Sequence, residues 1–403
     1  MTRLHLSTTV AGAQCSKTGA PVSITRARPW GRCSCCDNGG LPIMLRYQVP
    51  DGAWYVPSRH GLRRYEPLLP VSGMDAAYAD DVGGTATVLH EGLSDRLDVE
   101  VWIKNESTNP SGSFKDRGLA IGVALGAALG ARRFCLPTQG NAGVAAALFS
   151  ARLGLEPCLV AMPAGYRNSV YHRAAELFGA EVTFHGANIG ETGKQLRAAL
   201  ADPLAAGSIV DISTFFEPGR LEGKKTLGLE IFEATGADRL PTHIFYPTGG
   251  GTGLVGIYKA FEELAELGAL DRNQHRLPKM IAVQAERCAP IVKAWAARAT
   301  AVDPISSQQT IADGLDVPAA IMGHEILATL RRSDGNAVTV SDQAIRENYQ
   351  VSNRLGVNVG LEGAAALAAV EKLRANRALR ADDRVLVLLT GGHFVALDRL
   401  AQA

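Results

Sequence analysis

From about residue 100 onward, short apolar runs alternate with longer stretches that carry Ala and Leu at helical spacing. No other feature of the chain constrains its fold as tightly. The runs at 132–137, 157–162, 181–184, 208–211, 243–247 and 280–285 read as buried strands. The helical stretches between them are 115–129, 142–153, 169–178, 221–234 and 254–264. The theme returns with helices near 342–355 and 361–374 and a strand at 384–389. Strands joined by helical crossovers pair in parallel, so the pattern predicts parallel sheets covered on both faces. In such sheets ligands gather beyond the carboxyl ends of the strands.

A length of 403 residues predicts two or three domains. Lys and Arg total 41 against 40 Asp and Glu, a balance that leaves no electrostatic footprint for nucleic acid or an anionic membrane. No apolar run approaches the ~18–20 residues of a membrane helix. The stretch 4–13 before Cys15 is too short and too polar for a lipoprotein signal. Seven cysteines, an odd number, predict reduced thiols and a cytoplasmic protein.

The first sixty residues stand apart, rich in Cys, Arg, Pro and Gly and without a sustained period. Cys33-x-x-Cys36 is half of a zinc-knuckle pattern, and its partner pair is expected around Cys15. The matching position three residues on is Thr18, so a site built on Cys15, Cys33 and Cys36 is incomplete unless Cys35 or His5 joins. The plain alternative is a metal-free extension.

Five segments carry the chemistry, each at a strand end or a helix start. In Asn109-Pro-Ser-Gly-Ser113-Phe-Lys115-Asp-Arg-Gly118 a lysine opens a helix behind a tight turn. A helix N-terminus disfavours the ammonium form, and a neutral amine is what imine formation needs. Thr138-Gln139-Gly140-Asn141-Ala-Gly143 joins a strand to an Ala-rich helix. In Tyr246-Pro-Thr-Gly249-Gly250-Gly251-Thr252-Gly253, glycines allow close backbone approach and the next helix offers N–H groups to a phosphate. Residues 251–256 also fit G-x-G-x-x-G with Glu286 after the next strand, a rival dinucleotide reading. Glu217-Pro-Gly-Arg220-Leu-Glu-Gly-Lys224-Lys225-Thr sets a guanidinium where two parallel hydrogen bonds can grip a phosphate. Thr390-Gly-Gly-His393 follows the last strand; His393 reads as a satisfied structural histidine.

Residues 109–118 resemble, position by position, the cofactor-lysine motif of the threonine synthases, enzymes that use pyridoxal 5'-phosphate. The resemblance covers about residues 60–395, and it extends to 310–316 and 362–366, stretches shared with the serine/threonine dehydratases. It implies the α/β architecture of fold type II, tryptophan-synthase-β-like, with two α/β domains, parallel-rich sheets and a Cys-containing N-terminal extension (1–60). The large domain is expected at 61–110 and 224–403, and a smaller mobile domain with the asparagine loop at 111–223. Lys115 is implied as the catalytic, Schiff-base lysine. Asn141, Gly249, Gly250, Gly251, Thr252, Gly253 and Thr390 are implied as cofactor ligands, Thr390 facing the pyridine nitrogen. Ser113, Thr138, Gln139, Gly140 and Arg220 are implied as substrate contacts, Arg220 on a substrate phosphate. The implied reaction converts O-phospho-L-homoserine and water to L-threonine and phosphate by γ-elimination and β-addition of water, in a homodimer. Departures at Gln139, Ala142, Thr214, Phe215 and Gly392-His393 keep a serine/threonine dehydratase, or a β-replacing synthase on an activated serine, as the alternative.

Overall fold

The computed structural model describes residues 4–24, 33–36, 41–50, 52–394 and 396–397. Its chain forms two compact units, Met1–Gly84 with Lys115–Thr226, and Thr85–Phe114 with Leu227–Ala403. Both are α/β, and the fold class expected from the alternation is the fold observed.

The first unit holds a wholly parallel four-stranded sheet, in the order Glu181–Phe184, Leu159–Met162, Phe134–Pro137, Val210–Asp211. Successive side chains of a strand point to opposite faces. Phe134 and Leu136 therefore enter a core shared with Leu119 and Val123 of helix Lys115–Ala128 and Val144 and Phe149 of helix Asn141–Arg152. Cys135 points the other way, to Leu196 of helix Ile189–Ala199. Both faces being covered, the strands read as continuous apolar runs. Truncating a core residue such as Phe149 costs about 3–5 kcal/mol. Ahead of this sheet, Val10–Cys15 pairs antiparallel with Pro21–Val22 and Ile43–Tyr47, around a small core of Ala13, Ile43 and Leu45.

The second unit is built on six strands, in the order Asn336–Val340, Lys279–Ala285, His243–Pro247, Arg384–Leu389, Glu100–Asn105, Thr87–Leu89. All run parallel except the edge strand Thr87–Leu89. Helix Leu361–Ala375 is apolar nearly all round and packs into the core formed by this sheet. Among the described residues no helix is long and apolar enough to cross a membrane.

Strand Glu100–Asn105 carries Glu100, Lys104 and Asn105 among its six residues and so gave no apolar signal. Lys104 is nevertheless fully buried, with its Nζ 2.8 Å from Glu230 Oε2 and donating to the Thr85 carbonyl at 2.9 Å. Buried charge paired in this way mimics an ordinary surface pattern in the sequence.

Candidate active site

In the first unit, Lys115 is the first residue of helix Lys115–Ala128, and Arg220 lies in the first turn of helix Gly219–Thr235. These two helices meet along glycines spaced four apart on each, Gly118 and Gly122 against Gly219 and Gly223. A Cβ at Gly223 would lie 1.9 Å from the Arg117 carbonyl oxygen, and one at Gly219 would lie 2.9 Å from Gly122 Cα. Backbone thus rests on backbone, and the start of one helix is fixed against the start of the other. Arg117, wholly buried, adds a bond from Nη1 to Thr226 Oγ1 at 2.9 Å.

Arg220 is 2% exposed. Its Nη1 donates to the Ile212 carbonyl at 2.9 Å, and its backbone N–H donates to Glu217 Oε1 at 2.8 Å. Among the described residues, Arg220 Nε and Glu217 Oε2 are buried without a hydrogen-bond partner. One turn further on, Lys224 is also buried, its Cε 3.2 Å from where a Gly118 Cβ would stand. Burial, then the charges of Lys115 and Arg220, hold the Lys224 ammonium well below the usual lysine range. Burial likewise lowers the Arg220 guanidinium, against the pull of Glu217. The Glu217 carboxyl is pushed up to about 7 by burial, opposed by Arg220. Two buried basic groups, Arg220 and Lys224, thus stand by a single reluctant carboxylate, with Lys115 acting on Lys224 and one buried donor, Arg220 Nε, unused. That arrangement is poised for an anion. Sequence reasoning singled out Arg220 and passed over Lys224 and Glu217. The signal was the i, i+4 spacing of Arg220 and Lys224, which places both on one helix face.

Thr138, Gln139, Gly140 and Asn141 form the turn into helix Asn141–Arg152. Buried Thr138 Oγ1 accepts from the Gly140 N–H at 2.9 Å and the Gly143 N–H at 3.3 Å, so this hydroxyl is occupied with holding the turn. Gly140 has φ +136°, and a Cβ there would sit 2.5 Å from the Tyr171 ring. Gln139 and Asn141 remain half-buried.

In the second unit, buried Glu106 accepts from Thr85 Oγ1 at 2.6 Å and from Asn109 Nδ2 at 2.9 Å, anchoring the turn that leads to Lys115. Ser113 bridges Gly391, and the Phe114 N–H donates to the Thr390 carbonyl at 3.0 Å. Ser113 and Thr390 are therefore neighbours. The Phe114 ring stands edge-on to Tyr246, 6.3 Å between centroids, at the head of the glycine loop.

That loop links strand His243–Pro247 to helix Thr252–Glu266. Gly251 caps the helix in the left-handed region, φ +76°, and no side chain caps it. A Cβ at Gly249 would strike the Gly314 carbonyl oxygen at 2.2 Å, and one at Gly253 the Tyr246 hydroxyl at 2.2 Å. A helix N-terminus with a left-handed glycine and no side-chain cap suits a phosphate ester. His393 Nδ1 lies 2.7 Å from Asn358 Oδ1, whose own Nδ2 donates to Ser107 Oγ at 3.0 Å; it is a structural histidine.

A family model described as pyridoxal-phosphate dependent enzyme matches residues 78–391. The threonine synthase of Methanosarcina acetivorans is 31% identical over 82% of this chain and 79% of its own. That of Methanocaldococcus jannaschii is 30% identical over 82% and 80%. Among solved structures, the processed form of threonine deaminase isoform 2 from Solanum lycopersicum matches with a TM-score of 0.64. That match covers 79% of this chain and 87% of the other at 22% identity, a likeness of fold.

Proposed function

Because the chain belongs to the pyridoxal-phosphate-dependent enzymes of the threonine synthase family, we propose that it makes L-threonine and phosphate from O-phospho-L-homoserine and water. One observation carries the choice of substrate. The glycine loop at 249–253 suits one phosphate, and buried Arg220, with its unused Nε, together with Lys224 supplies the means to hold a second. The dehydratase alternative has no use for a second phosphate site, since serine and threonine carry a carboxylate but no phosphate.

When bound, the cofactor supplies an electron sink that lowers the cost of removing a proton beside the amino group. Lys115 would hold the cofactor aldehyde through its amine, and the same amine would move the proton at the substrate α-carbon. Gly249, Gly250, Gly251, Thr252 and Gly253 would hold the cofactor phosphate, chiefly through backbone N–H groups. Asn141 would face the cofactor's phenolic oxygen and Thr390 its ring nitrogen, as the family resemblance implies. Arg220 orients the substrate phosphate and offsets the charge that grows as it leaves the γ-carbon, with Lys224 behind it. Water then enters at the β-carbon, so atoms balance across the reaction. Ser113, Gln139 and Gly140 contact the substrate, and Thr138 acts through the turn it holds.

We further infer a homodimer, from the family resemblance, and a cytoplasmic location, which seven free thiols support. The deciding experiment offers the purified, cofactor-loaded protein O-phospho-L-homoserine, with phosphoserine, serine and threonine in parallel. Phosphate and threonine are expected together from the first substrate alone. Keto-acid from serine or threonine, with phosphohomoserine inert, would transfer the function to the dehydratase.

A further inference from the structure

We propose that Cys15, Cys33, Cys35 and Cys36 bind one zinc ion in a tetrahedral all-thiolate site that staples the N-terminal arm. The sulfur atoms of all four lie within 4.8 Å of one another. Cys15 Sγ is 3.7 Å from Cys36 Sγ, and Cys35 Sγ is 3.9 Å from Cys36 Sγ. Four sulfurs each about 2.3 Å from a central zinc stand about 3.8 Å apart along the edges of their tetrahedron. A disulfide would bring two of them to about 2.05 Å, and all four thiols are free. A multi-iron cluster sets several irons and sulfides between its cysteines and needs a wider cage. The spacing therefore fits a single ion.

The ligand expected three residues beyond Cys15 is Thr18, and the fourth sulfur comes from Cys35 instead, adjacent in sequence to Cys36. Thr18 Oγ1 lies 3.3 Å from Cys35 Sγ. The Lys17 N–H donates to Cys15 Sγ at 3.4 Å, and the Leu41 N–H to Cys33 Sγ at 3.2 Å. Such N–H···S bonds hold ligating sulfurs in orientation and favour the thiolate.

The arm has need of a staple. Its sheet buries only Ala13, Ile43 and Leu45, with Val22, Ile24 and Tyr47 partly covered. So few apolar residues do not order a three-stranded sheet alone. Cys15 ends the central strand, and Cys33, Cys35 and Cys36 precede strand Ile43–Tyr47, so a shared ion would tie the two strands at one end. At the other end of that strand, the Tyr47 ring lies 3.8 Å from Lys225 Nζ, itself 2.7 Å from Glu222 Oε2. The staple thereby reaches the helix that carries Arg220 and Lys224.

The test is metal analysis of the full-length chain, purified under reducing conditions without chelator. One zinc per chain is expected, released stoichiometrically when a mercurial titrates the thiols, and cobalt in its place should give tetrahedral thiolate absorption. Cys35→Ser removes the most exposed ligand. It should weaken zinc binding beyond the about 10–100-fold that loss of a mere outer-shell partner costs, with the far-UV spectrum unchanged. Absence of zinc from the wild-type chain even after incubation with zinc under reduction would overturn the proposal. So would stoichiometric iron, or undiminished zinc affinity in both Cys35→Ser and Cys36→Ser.

Discussion

Replacing Gly223 by alanine puts the glycine seam between the two helices under direct test. The new methyl would begin 1.9 Å from the Arg117 carbonyl oxygen and 2.7 Å from its carbonyl carbon, where ordinary contact starts at 3.4 Å. The obstacle is backbone, which cannot swing aside, so the helices must part by up to 1.5 Å at this point. Overpacking of this kind costs about 1–3 kcal/mol, at the upper end where no side chain can yield. Alanine's better helix propensity returns up to ~1 kcal/mol, leaving a net loss of about 2 kcal/mol. For a unit of about 200 residues that lowers Tm by about 4–8 °C. Activity should suffer more than stability, because a misplacement of about 1 Å at catalytic groups costs on the order of a hundredfold. Melting by circular dichroism and phosphate release at 25 °C, where the variant stays folded, separate the two effects. Gly92→Ala is the control, since its nearest neighbour stands at 3.6 Å, and it should be neutral or slightly stabilising. A Gly223→Ala protein that melts within a degree of wild type and turns over normally would refute the claim that this seam fixes Lys115.

Three further outcomes are expected. Lys104→Met removes the ammonium paired with buried Glu230 and should cost about 3–5 kcal/mol in denaturant titration, most of it recovered by adding Glu230→Leu. Glu217 has its carboxyl raised from 4.5 to about 7, so folding gains from its protonated form below pH 4.5 and loses that gain as pH rises through 7. Wild type should therefore lose up to roughly 3 kcal/mol relative to Glu217→Gln between pH 5 and 8, and parallel curves would count against the buried acid. Thr138→Val removes the acceptor of two N–H groups and should cost about 1–3 kcal/mol, with faster hydrogen exchange at Gly140 and Gly143.

The alternation of apolar runs and helical stretches located most elements to within a few residues, because strands covered on both faces leave no room for polar side chains. Strand Glu100–Asn105 escaped notice since its inward Lys104 meets Glu230, a partner more than a hundred residues away. Strand Asn336–Val340 and helix Gly323–Arg332 also went unread, the first short and starting with Asn, the second ending in two arginines. Lys115, Arg220 and the glycine loop stood out as motifs. Lys224 did not, because burial, not residue type, distinguishes it from a solvated lysine. Whether Cys35 or His5 completes the cysteine set was left open by the sequence for a related reason. Adjacent cysteines read as alternatives in sequence, while a kinked chain lets both reach one point.

The order of strands in the second unit has a consequence for how the chain is made. Strand Glu100–Asn105 pairs along one side with Arg384–Leu389, about 280 residues downstream. The four-stranded sheet of the first unit draws its strands from 134–211 alone and can assemble as soon as that stretch emerges. At a synthesis rate of roughly 5–20 residues per second, the earlier strand waits on the order of 15–60 s with its inner edge bare. A strand edge left unpaired that long is a template for wrong partners. Completion of this sheet is therefore set by its last strand, and a chain that stops short of residue 384 lacks the strand that joins Glu100–Asn105 to His243–Pro247.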